Sequence, residues 1–249
     1  MIDHATCQRF EAMIHRACPD LAAGPVTVCA QGIDSLALDI GGSWIFKLPR
    51  NPDAEARLLR EARLLNLLAG RVSVAVPRMQ IYTGDPLPPS AYDALKDAAK
   101  ARLGEVLAQF YTDLHALPQA AARGAGAEPI ELWSSAAMIL RAALPILSAD
   151  LHPRLSEILQ AYDALPPDPL AQVCGFFDGQ GWNMAFDFAK GDLAGIFDYA
   201  DSSIGDLHRD FVYPSMFSPD LTQRILTRYE HLTGLGIDRP RVALLTAVH

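Results

Sequence analysis

The sequence predicts an α+β fold with two lobes, a small lobe built on an antiparallel sheet and a larger, mainly helical lobe. Short strand-like runs separated by glycine turns are concentrated before residue 50, whereas helix-like segments dominate after Tyr92. A strand pattern returns between residues 173 and 198. Strands gathered in one part of a chain and helices in another are typical of α+β proteins. The predicted lobes are residues 1–88 and residues 89–249.

Composition narrows the class of function. The chain has 249 residues, half of them hydrophobic, and a formal net charge of −8. An acidic chain lacks the basic surface of nucleic-acid binders, so we expect no nucleic-acid partner. The same charge is easier to reconcile with a neutral or cationic small molecule. No uninterrupted apolar run reaches the length of a membrane span, so we expect no membrane partner either.

The cysteines and the N-terminal sequence indicate a reducing compartment. Cys7, Cys18, Cys29 and Cys174 are scattered and have no companion at zinc-ligand spacing. The first twenty residues contain several charges and no apolar core of the kind that signal peptides have. We therefore expect four reduced thiols and a cytoplasmic location.

The N-terminal lobe is predicted to contain a helix and three strands. Apolar residues recur at helical spacing from Asp3 to Ala17. Turns at Gly32 and Gly41 separate the strand-like runs that follow. These runs are Val26–Ala30, Leu36–Ile40 and Trp44–Pro49.

Lys47 lies inside the third apolar strand, where a charge is costly unless it is paired. A helix predicted from Asn51 to Ala69 puts Glu61 on the flank that carries Leu65 and Leu68. Kinases hold nucleotide phosphates with a strand lysine that is paired with a helix glutamate. The alternative is that Lys47 extends into solvent and Glu61 is an ordinary solvated helix residue.

The remainder of the chain is predicted to be mostly helical. Residues 71–83 have the alternation of strand material, although Pro77 interrupts it, and residues 84–90 have the composition of a linker. His115, in the last turn of a long helix, is predicted to be structural, because a histidine at such a place usually binds backbone carbonyls. The predicted helices are Tyr92–Leu117, Ile130–Leu147, Leu155–Leu165, Leu207–Phe211 and Pro219–Leu235, with a small-residue loop at 120–129 and a short tail from Asp238.

The segment from Val173 to Asp206 holds the pattern with the clearest chemistry. Asp178 ends an apolar run, Asn183 follows five residues later, and Asp198 closes a second apolar run after a turn at 190–192. In phosphoryl transfer an aspartate orients the attacking hydroxyl, while an asparagine and a second aspartate bind hard cations on the phosphates. The alternative is that these residues simply end strands, as turn chemistry favours.

On these residues the chain resembles the aminoglycoside phosphotransferase family, small-molecule kinases with a protein-kinase-like fold. The family signature runs H-G-D-x-x-x-x-N, then I-D-[FY]-[GA]-D, then G-D-x-x-x-D-[FL]. Phe176 and Phe177 replace the His and Gly of the first block. The matching segments are Ile196–Asp201, Gly205–Asp206 and Asp210–Phe211, together with Gly32–Ala37 and Gly42–Arg50 near the N-terminus.

The resemblance implies a role for each site residue. Asp178 would orient or deprotonate the acceptor hydroxyl, and Asn183 and Asp198 would bind Mg²⁺. Lys47, held by Glu61, would bridge the phosphates of ATP or GTP. Two further residues follow from the match: Ser35 would lie near the phosphates, and Asp210 would brace the catalytic loop.

We therefore expect a kinase that transfers the γ-phosphoryl group to a hydroxyl of a small metabolite or an aminoglycoside-like acceptor. An alternative is a catalytically dead nucleotide-binding module, suggested by Phe176, Phe177 and a short stretch at 69–90, where the family has its purine hinge. A metal-dependent hydrolase would explain neither Lys47 nor Glu61.

The surroundings of the site leave further choices open. Asp201 and Asp206 either line an acidic acceptor cleft or cap loops. The sequence does not fix the acceptor, the choice between ATP and GTP, or the oligomeric state.

Overall fold

The computed structural model describes residues 26–31, 35–42, 44–77 and 86–249. The helix predicted between Asp3 and Ala17 lies outside these ranges. The chain divides into two compact units, one ending at Leu59 and one running from Arg60 to His249. Antiparallel strands come first and helices dominate afterwards, so the predicted α+β class is confirmed. The predicted division into lobes at residue 88 stays a prediction.

The sheet of the first unit has three antiparallel strands in the order β1-β2-β3. They are β1 (Val26–Gln31), β2 (Ser35–Ile40) and β3 (Trp44–Pro49). Every second residue of β2 is buried, so one face of this strand lies against apolar side chains. Gly41 and Gly42 follow β2 with φ angles of 63° and 67°, which glycine adopts without a steric cost. The three predicted strands are confirmed.

Helix α1 spans Pro52–Leu68 and begins at a capped N-terminus. The side-chain Oδ1 of Asn51 accepts a hydrogen bond from the backbone N–H of Ala54 at 2.8 Å, as an N-cap residue does. Glu61 is buried on this helix, as is Leu64. The helix predicted here is confirmed.

The strand predicted over residues 71–83 is wrong in its described part, because residues 71–77 form turns and irregular backbone. The backbone N–H of Ser73 donates to Oδ2 of Asp113 at 2.7 Å instead of to a neighbouring strand. Pro77 has no N–H to contribute to a ladder. A side chain from a distant helix thus replaces the strand pairing that the alternation predicted.

The second unit contains most of the helices. In chain order they are α2 (Pro89–Asp93), α3 (Asp97–His115), α4 (Gln119–Gly124), α5 (Ala136–Ala143), α6 (His152–Asp163), α7 (Leu207–Asp210), α8 (Val212–Phe217), α9 (Pro219–Thr233) and α10 (Arg239–Val248). Helices α3 and α9 pack along each other. Their buried aromatic and aliphatic side chains contribute to one hydrophobic core.

The prediction of a single helix from Tyr92 to Leu117 is wrong, because the chain is divided there into α2 and α3. Lys96 between them has φ −66° and ψ 149°, which is extended backbone. Tyr92 is fully buried, and its hydroxyl donates to Asp220 on α9. This tertiary contact fixes the direction of α2 and overrides the continuous helical spacing.

Two further predictions need correction. The loop predicted at 120–129 contains α4, consistent with the high helix propensity of its alanines. The helix predicted from Ile130 to Leu147 is reduced to α5, since the N–H of Ile130 donates to the carbonyl of Ile204 at 2.8 Å. Leu144 keeps helical backbone, with φ −53° and ψ −39°, but Pro145 has no N–H with which to continue the helical hydrogen bonds after α5.

Four short strands complete the second unit. They are β4 (Val173–Gly175), β5 (Met184–Asp187), β6 (Asp192–Ile196) and β7 (Ser203–Gly205). β4 pairs with β7, and β5 with β6, both antiparallel. The predicted tail from Asp238 is mostly helix α10, which Asp238 caps by accepting from the N–H of Arg241 at 3.0 Å.

Two further features concern the cysteines and the hydropathy of the helices. The two described cysteines, Cys29 and Cys174, are both free thiols. Among the helices that the structure describes, none combines the length and the hydropathy that crossing a bilayer requires.

Candidate active site

A buried carboxylate fixes the backbone that leads into the candidate catalytic loop. After β4 the chain passes through Phe176 and Phe177, both buried. Oδ2 of Asp210 accepts from the N–H of Phe176 at 2.9 Å, and Oδ1 accepts from the N–H of Phe177 at 2.6 Å. Hydrogen bonds to an ionised acceptor are the stronger ones, so this carboxylate holds the two peptides that precede Asp178.

His115 supports this carboxylate from helix α3. Its Nε2 lies 2.9 Å from Oδ2 of Asp210, and its Nδ1 lies 2.9 Å from the hydroxyl of Tyr229 on α9. These contacts fit the predicted structural role, but the partners differ from the expected backbone carbonyls, because both ring nitrogens bind side chains. Helices α3 and α9 are thus connected to the loop through one chain of hydrogen bonds.

Phe177 adopts left-handed backbone with φ 53°, which costs a residue with a Cβ atom about 1 kcal/mol or more. Its ring occupies the space over two glycines. A Cβ atom on Gly175 would lie 2.6 Å from Cε2 of Phe177, and one on Gly205 would lie 2.9 Å from Cζ. The absence of side chains at these two positions makes room for a phenyl ring beneath the loop.

Phe176 fills the other aromatic position of the loop. Its ring centroid lies 4.9 Å from that of Tyr199 and 5.9 Å from that of Phe110, in tilted and edge-on arrangements that aromatic rings prefer. A phenyl ring thus packs well at the place where the family signature has histidine.

Asp178 and Asn183 lie in direct contact. The amide Nδ2 of Asn183 donates to Oδ2 of Asp178 at 2.7 Å and to its backbone carbonyl at 3.0 Å. Nε2 of Gln180 donates to the other carboxylate oxygen, Oδ1, at 2.8 Å. Both oxygens of Asp178 are therefore held by amide donors from its own loop. Gln180 was missed by the sequence interpretation, although its position two residues after the aspartate allows this contact.

The β5–β6 hairpin brings Asp198 next to Asn183. Met184 pairs with Ile196, and the N–H of Phe197 donates to the carbonyl of Asn183 at 3.0 Å. Asp198 is the next residue and has left-handed backbone, with φ 66° and ψ 66°. The three residues predicted from spacing thus belong to one small constellation.

The carboxylates of this region influence one another. Burial raises the pKa of Asp178, the hydrogen bonds from Asn183 and Gln180 oppose the shift, and the negative charges of Asp201 and Asp198 raise it further. The pKa of Asp178 is raised overall. A pKa closer to neutrality makes a carboxylate a better general base.

The donor set fits Mg²⁺, an ion that prefers oxygen ligands and usually takes one or two protein side chains with phosphates and water. Asn183 uses its amide nitrogen on Asp178, so its amide oxygen is the atom available to a cation. Asp198 adds a carboxylate. Within the described ranges no group of three acidic, histidine or cysteine side chains forms a fuller metal cage.

Two of the other predicted site residues, Ser35 and Lys47, lie in the first unit. Ala37 on β2 is directly opposite Lys47 on β3, and Ser35 lies two residues away on the same strand. Because side chains two apart share a face, Ser35 and Lys47 point to the same side of the sheet. Glu61 belongs to the second unit, and its pairing with Lys47 stays a prediction.

Two glycines within the loop allow close packing, which the sequence interpretation also missed. A Cβ atom on Gly179 would lie 2.0 Å from the hydroxyl of Tyr111, and one on Gly181 would lie 2.0 Å from the carbonyl of Leu87. The N–H of Leu87 also donates to the carbonyl of Gly181 at 3.0 Å. The sequence signal was the alternation of glycines between Asp178 and Asn183.

Solved structures of phosphotransferases share this fold. A GDP complex of aminoglycoside 2′-phosphotransferase-IIIa superposes with a TM-score of 0.82 at 22% identity, covering 97% of this chain and 87% of that chain. Macrolide 2′-phosphotransferase type I gives 0.72 at 21%, covering 99% and 89%. The streptomycin–ATP complex of APH(2″)-IIa gives 0.65 at 16%, covering 92% and 83%. A comparison with curated proteins gave no significant match.

The shared fold, together with a family model that matches most of the chain, defines the class of protein as a phosphotransferase whose acceptor is an alcohol group. A family model described as the phosphotransferase enzyme family matches residues 26–245. The chain belongs to this family, and the resemblance inferred from its motifs is confirmed.

Proposed function

We propose that this kinase transfers the γ-phosphoryl group of ATP or GTP to a hydroxyl of a small acceptor in the presence of Mg²⁺. The observation that carries the proposal is the contact of Asp178 with Asn183, with Asp198 held beside them by the β5–β6 hairpin. An orienting carboxylate next to two cation ligands is the arrangement that phosphoryl transfer needs.

Asp178 acts on the acceptor hydroxyl. Its two oxygens are fixed by Asn183 and Gln180, so the carboxylate cannot rotate freely. A fixed carboxylate can accept a hydrogen bond from the hydroxyl, align that oxygen with the γ-phosphorus, and take its proton as the new oxygen–phosphorus bond forms. The bond from the γ-phosphorus to the β–γ bridging oxygen breaks in the same step, and ADP or GDP leaves. Asp210, through the two phenylalanine peptides, keeps the start of the loop in place.

Asn183 and Asp198 would hold Mg²⁺ through the amide oxygen and the carboxylate. The ion, when bound, neutralises charge that develops on the phosphate oxygens. On the sheet, Lys47 would bind nucleotide phosphates with Glu61 as its counterion, and Ser35 would lie near the same phosphates. All these roles follow from the family motif and from the chemistry of the side chains.

The acceptor is a small hydroxylated molecule. Solved relatives in the fold comparison include enzymes named for aminoglycosides and for macrolides, and complexes with GDP and with ATP. The catalytic loop supports an active enzyme rather than an inactive nucleotide-binding module. Phe176 and Phe177, which suggested the inactive alternative, pack without disturbing the hydrogen bonds of Asp178.

The test combines nucleotide binding with phosphate transfer. ATP or GTP at 100 times its dissociation constant should stabilise the protein by about 2.7 kcal/mol, and the effect should require Mg²⁺. Lys47→Met should weaken both this stabilisation and the transfer of labelled phosphate to an acceptor panel. Lys190→Met removes an exposed lysine whose partner is Asp187, and it serves as the matched control.

The outcomes separate the alternatives. Nucleotide binding without transfer to any acceptor would favour the inactive module. If neither nucleotide stabilises the protein, both the active kinase and the inactive nucleotide-binding module are contradicted. Equal effects of Lys47→Met and Lys190→Met would remove the assigned role of Lys47.

A further inference from the structure

A cavity of about 330 Å³ lies at the end of the hydrogen-bond chain that supports the catalytic loop, and we call it the Tyr229 cavity. It is formed where α3 and α9 end, and the segment before β4 contributes a further wall. Val173, Leu207 and Tyr229 line it and are buried, and the ring centroid of His115 lies 5.4 Å from that of Tyr229. Ligand pockets have volumes from about 300 Å³ upward. The cavity is therefore large enough for a small organic molecule.

The Tyr229 cavity is separate from the candidate active site but connected to it. No residue of the fully described stretch 174–206 lines it, so the catalytic loop and the β5–β6 hairpin lie outside. The connection runs through side chains. The Tyr229 hydroxyl lies 2.9 Å from Nδ1 of His115, and Nε2 of His115 lies 2.9 Å from Oδ2 of Asp210. Two residues of the lining are thus part of the chain that holds Asp210.

The lining favours an uncharged ligand. Among the described residues around the cavity there is no aspartate, glutamate, lysine or arginine. An ionised ligand would lose its hydration there without gaining a counterion, which is costly. Helix α3 also presents the negative end of its dipole at His115 and Ala116, and this disfavours an anion further. A neutral molecule with an apolar body avoids both costs.

The Tyr229 hydroxyl is the polar group of the lining with hydrogen-bonding capacity to spare. The hydroxyls of Thr112 and Thr233 already donate to backbone carbonyls of their own helices, both at 2.8 Å. Among the described residues the Tyr229 hydroxyl binds only His115, whereas a hydroxyl offers one donor and two acceptor sites. Burial, and after it the charge of Asp210, raises the pKa of Tyr229, so the group stays neutral. It can therefore bind one hydroxyl group of a ligand.

We propose that the Tyr229 cavity binds a small uncharged molecule with an apolar body and one hydroxyl group, and that its occupancy stabilises the catalytic loop through His115 and Asp210. A ligand that binds only while these side chains are joined stabilises that arrangement over those in which the chain is broken. The N–H groups of Phe176 and Phe177, which donate to Asp210, then open to solvent less often. Neither the binding nor this effect depends on the proposed reaction.

The probe is 2-naphthol, and its charged analogues are 2-naphthoate and 2-naphthylmethylammonium. Calorimetry on the full chain should show 2-naphthol binding at least about tenfold more tightly than either ion, because an unpaired charge is costly to bury. At about ten times the dissociation constant of 2-naphthol, hydrogen exchange at the amides of Phe176 and Phe177 should be about tenfold slower. The N–H of Ile139, which donates to the carbonyl of Ser135 at the start of α5, is the control and should exchange at an unchanged rate.

Variants locate the site. Ala116→Trp, just after α3, and Ala171→Trp, just before β4, each add a ring at an exposed position of the lining. Each should weaken binding of 2-naphthol by at least about tenfold. Ala161→Trp, at an exposed alanine of α6, is the matched control and should leave binding unchanged. Tyr229→Phe removes only the hydroxyl and should weaken binding by about twofold to tenfold, the range for one hydrogen bond.

No binding of 2-naphthol, or an affinity that both tryptophan variants leave unchanged, would overturn the proposed site. Equal affinity for either charged analogue would overturn the proposed class of ligand. Binding without slower exchange at Phe176 and Phe177 would overturn the effect on the catalytic loop. Failure of the proposed function gives a different pattern, in which Mg²⁺-nucleotide neither stabilises the protein nor supports transfer while 2-naphthol still binds and still slows exchange.

Discussion

The ring of Phe177 lies where a side chain on Gly205 would begin, since a Cβ atom built on Gly205 would be 2.9 Å from Cζ of Phe177. Phe177 also has positive φ at a place where the family signature has glycine. Strained backbone persists only where several surrounding contacts hold it in place. Here a buried ring over β7 and a hydrogen bond to Asp210 hold the strained residue immediately before Asp178.

The first prediction is that Gly205→Ala destabilises the protein and lowers turnover. The added methyl would also lie 2.5 Å from Cγ2 of Ile130, so the ring or the segment at Ile130 must move. Overpacking of this kind costs about 1–3 kcal/mol. Denaturant unfolding and a transfer assay would measure the two effects. Gly124→Ala is the matched control, because nothing lies within 4 Å of its Cβ position. Equal stability of the two variants would show that Phe177 has space to move.

A second prediction concerns acid stability and the buried pair of His208 and Asp168. Nδ1 of His208 lies 2.7 Å from Oδ2 of Asp168, and both side chains are almost fully buried. Burial acts to raise the pKa of Asp168, but hydrogen bonds from His208 and from the N–H of Leu170 outweigh it, and the pKa is lowered overall. A lowered pKa in the folded state stabilises the fold at pH values above the unfolded pKa, about 3.9.

This contribution should therefore be complete at neutral pH and be lost as the pH falls below about 4. Asp168→Asn should lower the free energy of unfolding at pH 7 by about 1.5–3 kcal/mol, the range for hydrogen bonds to charged groups. The difference from wild type should shrink in acid. Thermal melts of both proteins between pH 3 and pH 7 would test this, and a difference that is constant across the range would contradict it.

Local patterns made much of the site predictable from the sequence. The contact of Asn183 with Asp178 spans five residues, and the hairpin that delivers Asp198 is visible as two apolar runs around a turn. The strands of the first unit follow from alternation and glycine turns. In each case the interacting residues are close in sequence, so their spacing along the chain is enough to predict the contact.

Tertiary contacts explain what could not be predicted. Asp210 lies more than thirty residues beyond the two peptides that it binds, and His115 reaches it from another helix. The division between α2 and α3 depends on the burial of Tyr92, which no periodicity reveals.

A third prediction is weak selectivity between purine nucleotides. The stretch from residue 69 to residue 90 is short, and its described residues, 69–77 and 86–90, contain no strand. We therefore expect few backbone groups to be available for hydrogen bonds to the edge of the purine base. ATP and GTP should bind within about tenfold of each other, or about 1.4 kcal/mol. Calorimetry with Mg²⁺ would measure both, and a hundredfold preference for one purine would contradict the prediction.

The last prediction distinguishes the roles of Asp178 and Asp198. Their asparagine variants should differ in which property they lose, nucleotide affinity or turnover. Asp198→Asn removes the charge of a proposed cation ligand, so affinity for the Mg²⁺-nucleotide and turnover should both fall. Asp178→Asn preserves the shape of the loop and should leave nucleotide binding intact. It should nevertheless reduce turnover about 10²- to 10⁴-fold, the usual effect of a positioned general base. Asp150→Asn, at an exposed aspartate to which no role in the site is assigned, is the control and should change neither quantity.

Nucleotide titrations followed by a phosphate-transfer assay distinguish the two roles. Asn183 and Gln180 each donate to one carboxylate oxygen of Asp178. In Asp178→Asn an NH₂ group replaces one of these oxygens, so it faces another donor or that hydrogen bond is lost. Melting temperatures of the variants therefore have to be compared before turnover is interpreted. If Asp178→Asn is as stable as wild type and both hydrolyse nucleotide at the same slow rate without phosphorylating an acceptor, Asp178 is not the catalytic base. In that case the constellation binds nucleotide but performs no transfer.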